Sequence, residues 1–468
     1  MKAAAILQLG SKYITIVIQL VVTMVLARLV TPEQFGLLAI VTVFTALFSF
    51  MSDIGLSVSI VQFRDLSERD IGSLFVFTLF LGLFLTSLFC LLSWPIAYLY
   101  GNDELIGLLC FASVSLFFST INMVPNGQIL KDKNFISIAI RLIVSNSIAG
   151  VIAIILAFNS FGCYALVTQI NIVSIVIFIW NFAVQPIKKL SIHFMKTVKH
   201  IFSYTAYQFG FNGLNYLCRN FANLVIGKAF GMTSLGFYDK AYQLSIYPNT
   251  ILSGVIGTVI QPYMAEKQDD SDYVFENWKK ISKFLSLCAV PISLICICAP
   301  HEIITVMYGS QWENSVFLFQ LLSISIYVQM VFSISGAFFQ SMGHTDFMFR
   351  SGLINTILTI AAVFIGIISM NIDILCLSIA LVFWLQIIPI SYYLICKTFR
   401  KSCSVLKVFL PELIVGCVAS LCVFALNGLL PVEPIARFLI KVGVILVVTG
   451  IGYLCTKQFK YIKAVIFK

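Results

Sequence analysis

Apolar residues run along this chain in blocks of roughly 18 or more, broken by short polar stretches, from one end to the other. A block of that length crosses about 30 Å of hydrocarbon as a single helix. The pattern predicts about fourteen such helices. The first seven fall at 5–29, 36–60, 71–99, 104–125, 135–158, 162–184 and 201–228. The remaining seven fall at 236–263, 277–299, 314–340, 347–369, 374–396, 406–427 and 435–456. The longest polar breaks, Gln185–His200 and Glu266–Glu276, are far too short to fold as a separate domain. Function must therefore sit within or between the helices. The break at Gln185–His200 is the best boundary. It divides a first lobe of six spans (1–185) from a second (200–396), followed by two further spans and a basic tail (405–468).

Composition agrees: of 468 residues 60% are hydrophobic and 11% charged, with mean hydropathy +0.99. A water-soluble domain must cover its surface with polar groups and does not carry that ratio. The apolar run from just after Met1-Lys2 to Leu29 is too long for a signal-peptide core and reads as a first span. The net charge of +10 raises the question of nucleic acid, but the basic residues form no single face. They alternate between loops, with Arg64 and Arg69, then Lys131 and Lys133, then Lys188, Lys189, Lys196 and Lys199 on one side. Lys267, Lys279, Lys280, Arg350, Lys397, Arg400, Lys401 and the tail continue the series. The opposite loops (Tyr100–Glu104, Phe158–Cys163, Ala299–Glu313, Met370–Asp373) hold no Lys or Arg. That asymmetry predicts both termini in the cytoplasm of a multi-pass protein in a bacterial cell membrane, and no nucleic-acid partner. The thirteen cysteines are scattered and lack metal-ligand spacing, so they read as small core residues.

Two segments superpose without a gap at a spacing of 200 residues. Gln8 falls on Gln208, Gly10 on Gly210, Val25 on Val225, Arg28 on Lys228 and Gly36 on Gly236. Six spans separate the copies, so both have the same orientation, as in transporters built from duplicated halves. The same two helices carry polar stripes. Gln8, Lys12, Thr15, Gln19 and Thr23 recur at steps of three and four, as do Gln208, Asn212, Asn215, Arg219 and Asn223. Such steps keep side chains on one helix face. Polar stripes in membranes either bond helix to helix or line a wet cavity. A cation deep in a span costs at least roughly 2.5–3.5 kcal/mol, which favours the cavity for Arg219; Lys12 has the alternative of snorkelling to the interface. Guanidinium and ammonium suit phosphate, and amides suit hydroxyl-rich sugar. Arg28 and Lys228 sit at matched outer ends, as gating residues or interfacial anchors. Asp53 and the adjacent Asp239 and Lys240 are candidates for ion pairs, gates or a coupling site for a proton or sodium ion. Arg141, near the inner end of its span, either extends an entrance or reaches the interface. No catalytic constellation or resident cofactor is indicated. The four histidines lack partners at motif spacing.

The segments LARLVTPEQFGLLAIVTVF and SDIGLSVSIVQ resemble the N-terminal signature of bacterial polysaccharide-biosynthesis flippases of the colanic-acid and O-antigen exporter type. LGFYDKAYQLSIYPNTIL resembles that family's second signature. The family belongs to the multidrug/oligosaccharidyl-lipid/polysaccharide exporter superfamily. The resemblance implies two lobes around a cavity that opens alternately to each side. It also implies a polyprenyl-diphosphate-linked oligosaccharide as substrate, surrounding membrane lipids, and a polysaccharide polymerase as neighbour. On this expectation Lys12 and Arg219 meet the diphosphate, and Gln8, Gln19, Asn212 and Asn215 meet sugar or water. Three rivals stay open: a multidrug or small-molecule antiporter, for which cavity carboxylates would be expected, a membrane enzyme acting on lipid-linked sugars, for which a large outer loop would be, and a scaffold helping a polymerase.

Overall fold

A computed structural model describes residues 2–52, 56–62, 66–191, 220–426, 433–459 and 461. The described residues are helical, without strands. Eleven helices among them are long and apolar enough to cross a membrane. A twelfth is counted if the bent pair Asn314–Ser323 and Ile326–Ser341 forms one span. The expected seventh span lies largely outside the described residues. The chain divides into two compact units, Met1–Gly236 and Phe237–Lys468.

The first unit contains α1 (Lys2–Leu29), α2 (Pro32–Ser52), α3 (Leu56–Gln62), α4 (Glu68–Tyr100) and α5 (Glu104–Ile121). It continues with α6 (Met123–Lys131), α7 (Phe135–Phe158), α8 (Cys163–Val184) and α9 (220–229). Local chemistry sets the ends of α4. Ser67 caps its start in a reciprocal box with Asp70, and Gly101, at φ 66°, ends it in the left-handed conformation. Asn134 caps α7 through the Ser137 N–H. Packing then joins the elements: Leu56, Ile60, Leu74, Phe75, Ile121, Met123 and Val124 bury one another where α3, α4 and the α5–α6 joint meet.

The 200-residue repeat reappears as geometry. Helix α2 starts at Pro32, and the long helix α10 (Met232–Ala265), whose first turns belong to this unit, starts at Met232. The two starts cross at their matched glycines. A Cβ on Gly36 would lie 1.9 Å from the Met232 carbonyl oxygen, and one on Gly236 would lie 1.9 Å from that of Pro32. Each glycine thus admits the backbone of the other copy, and Pro32 and Met232 are themselves 200 residues apart.

The second unit holds the rest of α10, α11 (Ser271–Cys298), α12 (Pro300–Tyr308), α13 (Asn314–Ser323), α14 (Ile326–Phe332) and α15 (Ser335–Ser341). Next come α16 (Thr345–Ile368), α17 (Ile372–Leu385) and α18 (Ile387–Ser391), which runs into a π-helical turn at Tyr392–Thr398. The chain closes with α19 (Leu410–Leu426) and α20 (Pro434–Cys455), both packed on α11. Trp278, Trp312, Tyr238 and Tyr308 are its largest fully buried side chains among the described residues. The stretch expected as one helix over 314–340 is instead three segments, bent by 43°. At the first break the hydroxyls of Ser323 and Ser325 bond back to the carbonyls of Phe319 and Leu322, a local alternative that weakens regular helix.

Candidate functional site

Of the polar stripe expected on the first helix, the described members on α1 are part exposed and part half-buried. Lys12 and Gln19 are both exposed, and seven residues at about 100° each place them roughly 20° apart on the helix. Val17 and Val21 are also exposed, 58% and 53%, on an apolar sector roughly 140–180° round from Lys12 by the same geometry. On one side between the two sectors Ser11 and Val22 are buried, and Val22 packs on Gly150 of α7; on the other side Tyr13 is exposed. The apolar sector suits lipid, whereas the polar one cannot face hydrocarbon cheaply. The Gln19 amide donates to the Oδ1 atom of Asn146 on α7 at 3.0 Å, and the Asn146 amide donates to the Leu142 carbonyl at 2.8 Å. Thr15 donates to the Ser11 carbonyl at 2.8 Å, and Thr23 is half-buried. Part of the stripe therefore bonds helix to helix, and Lys12 remains exposed.

The side chain of Gln8, and the whole of Asp53, Asn212, Asn215 and Arg219, lie outside the described residues. Arg28 occupies the last turn of α1 and is exposed. Its repeat partner Lys228 donates to the Leu99 carbonyl at the end of α4. Both cations thus sit at helix C-terminal ends, where the macrodipole favours positive charge. Lys228 is in addition a helix-to-helix tie. Asp239 and Lys240 form a pair at 3.6 Å, bridged by Gln243, which accepts from Lys240 at 3.1 Å and donates to Asp239 at 2.9 Å.

A second polar cluster in the first unit centres on Arg141 of α7. It is buried, 7% exposed, so it does not reach the interface. Its guanidinium donates to the Oδ1 atoms of Asn181 on α8 and Asn126 on α6, the latter at 2.8 Å. Asn181 in turn donates to Asn122, at the α5–α6 joint, at 2.7 Å. Three asparagines thus gather round one cation at the joint where α5 gives way to α6.

In the second unit two ion pairs tie α19 and α20 to the helices before them. Lys283 of α11 and Glu412 of α19 are paired and fully buried. Ser286 adds a bond to the same carboxylate at 2.8 Å and meets the Tyr327 hydroxyl at 2.9 Å. Glu302 of α12 pairs with Lys441 of α20 at 2.7 Å, with the Arg437 guanidinium 4.0 Å away. These four residues were missed in the sequence: Glu412 and Lys441 do interrupt expected spans, the signal that marks intramembrane sites, but Lys283 follows Lys279 and Lys280, and Glu302 falls in an expected loop.

Comparison with known proteins places this architecture. The chain is 25% identical over 349 residues to the lipopolysaccharide biosynthesis protein WzxC of Escherichia coli (strain K12), covering 73% of this chain and 70% of that one. It is 22% identical over 360 residues to the succinoglycan biosynthesis transport protein ExoT of Rhizobium meliloti (strain 1021), covering 76% and 71%. Among solved structures it is similar in fold to the lipid II flippase MurJ in an inward closed conformation. That match has TM-score 0.74 and 16% identity, and covers 97% of this chain and 99% of that one. It is also similar to an inward-facing multidrug resistance MATE family transporter, with TM-score 0.62, 14% identity and coverage of 86% and 98%. The family model described as polysaccharide biosynthesis protein matches residues 25–317, well over half of the chain, and this multi-pass membrane protein belongs to that family.

Proposed function

We propose that the protein flips polyprenyl-diphosphate-linked oligosaccharide repeat units from the cytoplasmic to the outer leaflet by alternating access, for exopolysaccharide or O-antigen synthesis. The observation that carries this reading is the exposed polar sector of α1, with Lys12 and Gln19 set opposite the apolar sector. The names of the relatives and the likeness to a lipid II flippase support the same substrate class. On this reading Lys12 and Arg219 meet the diphosphate, and Gln8, Gln19, Asn212 and Asn215 meet sugar or water. The prenyl chain stays in lipid. Arg28 and Lys228 act at the outer ends, and a coupling proton or sodium ion is taken at Asp53 or at the Asp239–Lys240 pair. The architecture is fourteen spans with both termini in the cytoplasm of a bacterial cell: lobes 1–185 and 200–396, then the pair 405–468. A polysaccharide polymerase would take the product. The protein transports and makes no covalent bond, in contrast to the enzyme reading.

In a strain lacking its own copy, Lys12→Ala and Arg219→Gln are expected to lower surface polysaccharide about tenfold or more at matched protein level. That is the scale of losing one hydrogen bond to a charged group, about 1.5–3 kcal/mol. Lys12→Arg retains most of the export. Wild-type export by both charge-removing variants would take these cations out of the mechanism. The fold is shared with multidrug transporters, so the competing reading is tested by overexpression. Raised drug resistance without polysaccharide export would favour the antiporter.

A further inference from the structure

Four basic side chains are buried among the described residues: Arg141, Lys240, Lys283 and Lys441. Three of them have a carboxylate within 4 Å: Asp239, Glu412 and Glu302 respectively. Arg141 has none. Its acceptors are neutral amides, and its Nε atom is buried without a hydrogen-bond partner. A desolvated cation with only dipoles around it is an incomplete ion pair, because amide oxygens supply partial charge where a full countercharge is needed.

The surroundings specify what completes it. Asn122 and Asn126 are half-buried, so they form the accessible edge of the cluster. No described hydrogen bond uses their own amide N–H groups, which remain as donors. Among the described residues, the acids at this end of the unit are already engaged. Glu68 pairs with Lys189 at 3.0 Å, Asp70 completes the cap of α4, and Asp132 accepts from Gln185. Arg69, Lys133 and Lys188 stay exposed at the same end of the unit. The basic side chains outnumber the unpaired acids among the described residues there, and a local excess of positive charge attracts anions. A planar guanidinium flanked by amide donors matches the several oxygens of a phosphate better than a single carboxylate or a halide.

We infer that Arg141, with Asn122, Asn126 and Asn181, forms a binding site for the phosphate-bearing head group of a lipid. The incoming oxygens replace Asn126 on the guanidinium and take up the amide donors. Among the described residues, the cluster shares no hydrogen bond with the α1 stripe, so we treat the two as distinct. It rests on the proposed function only as far as the lipid is taken to be the diphosphate-linked substrate rather than an anionic phospholipid.

The test uses the purified full-length protein in detergent, with the thermal unfolding midpoint followed against a polyprenyl diphosphate, inorganic pyrophosphate and short-chain phosphatidylglycerol. Wild type is expected to be stabilised by the polyprenyl diphosphate. Arg141→Gln still offers an amide donor to the asparagines, yet should bind at least tenfold more weakly. Asn126→Asp places a permanent counterion on the guanidinium. It should unfold at a higher temperature than wild type without ligand and lose the ligand-dependent shift. A purely structural arginine would leave that shift intact. Stabilisation of wild type by phosphatidylglycerol alone, lost in Asn126→Asp, upholds the site and removes the substrate lipid from it. Equal shifts in wild type and Asn126→Asp, or no shift with any probe, overturn the inference while leaving the export assay to judge the transport reading.

Discussion

Glu412→Ala is expected to be the most damaging single substitution in the second unit, costing about 3–5 kcal/mol of stability. The carboxylate is fully buried and holds both Lys283 and Ser286. Removing it takes the full countercharge from a buried ammonium that also meets the Val408 carbonyl and the face of Tyr461, 5.6 Å from the ring centre. The measurement is the yield of monodisperse protein in detergent and its unfolding midpoint. The double variant Lys283→Met/Glu412→Leu should recover most of the loss, because replacing both members of a buried pair by apolar groups removes the desolvation cost along with the attraction. Lys441→Ala should be milder than Glu412→Ala. There Arg437 stands 4.0 Å from Glu302 and can move in as a substitute cation. Equal damage from all three variants would mean that the pairs contribute by packing rather than by charge.

The contrast between these pairs and the α1 stripe shows where sequence was enough and where it was not. Helix extent was legible because it depends on local hydropathy. The span expected at 135–158 is Phe135–Phe158, and that expected at 162–184 is Cys163–Val184. The stripe was legible for the same reason, since periodicity alone puts Lys12 and Gln19 on one face. Partners were not, because they are set by tertiary packing. Gln19 meets Asn146 across 127 residues, and Lys283 meets Glu412 across 129. The bend within 314–340 did leave a trace, the repeated Ser-Ile-Ser at 323–325 and 333–335, which hydropathy averages away. Arg141 was noticed, but its burial was not foreseeable, because it depends on α6 and α8 closing over α7.

The repeat leads to the second large effect, at Gly36 and Gly236. Adding one methyl at either position puts a carbon 1.9 Å from a backbone carbonyl oxygen. Backbone cannot swing aside as a side chain tip does, so the crossing helices must separate by more than an ångström. Overpacking of this kind costs about 1–3 kcal/mol. Gly36→Ala and Gly236→Ala are each expected to lower the unfolding midpoint and reduce export at equal protein level, whereas Gly352→Ala, which has nothing within 4 Å, should not. The reciprocal geometry adds a sharper expectation. Once the first methyl has pushed the helix starts apart, the second finds the space already open, so the double variant should be little worse than either single one. Substitutions that share one displacement are non-additive in this way. Fully additive losses would show instead that the two glycines act at independent contacts, and that the matched spacing of Pro32 with Met232 and Gly36 with Gly236 carries no shared constraint.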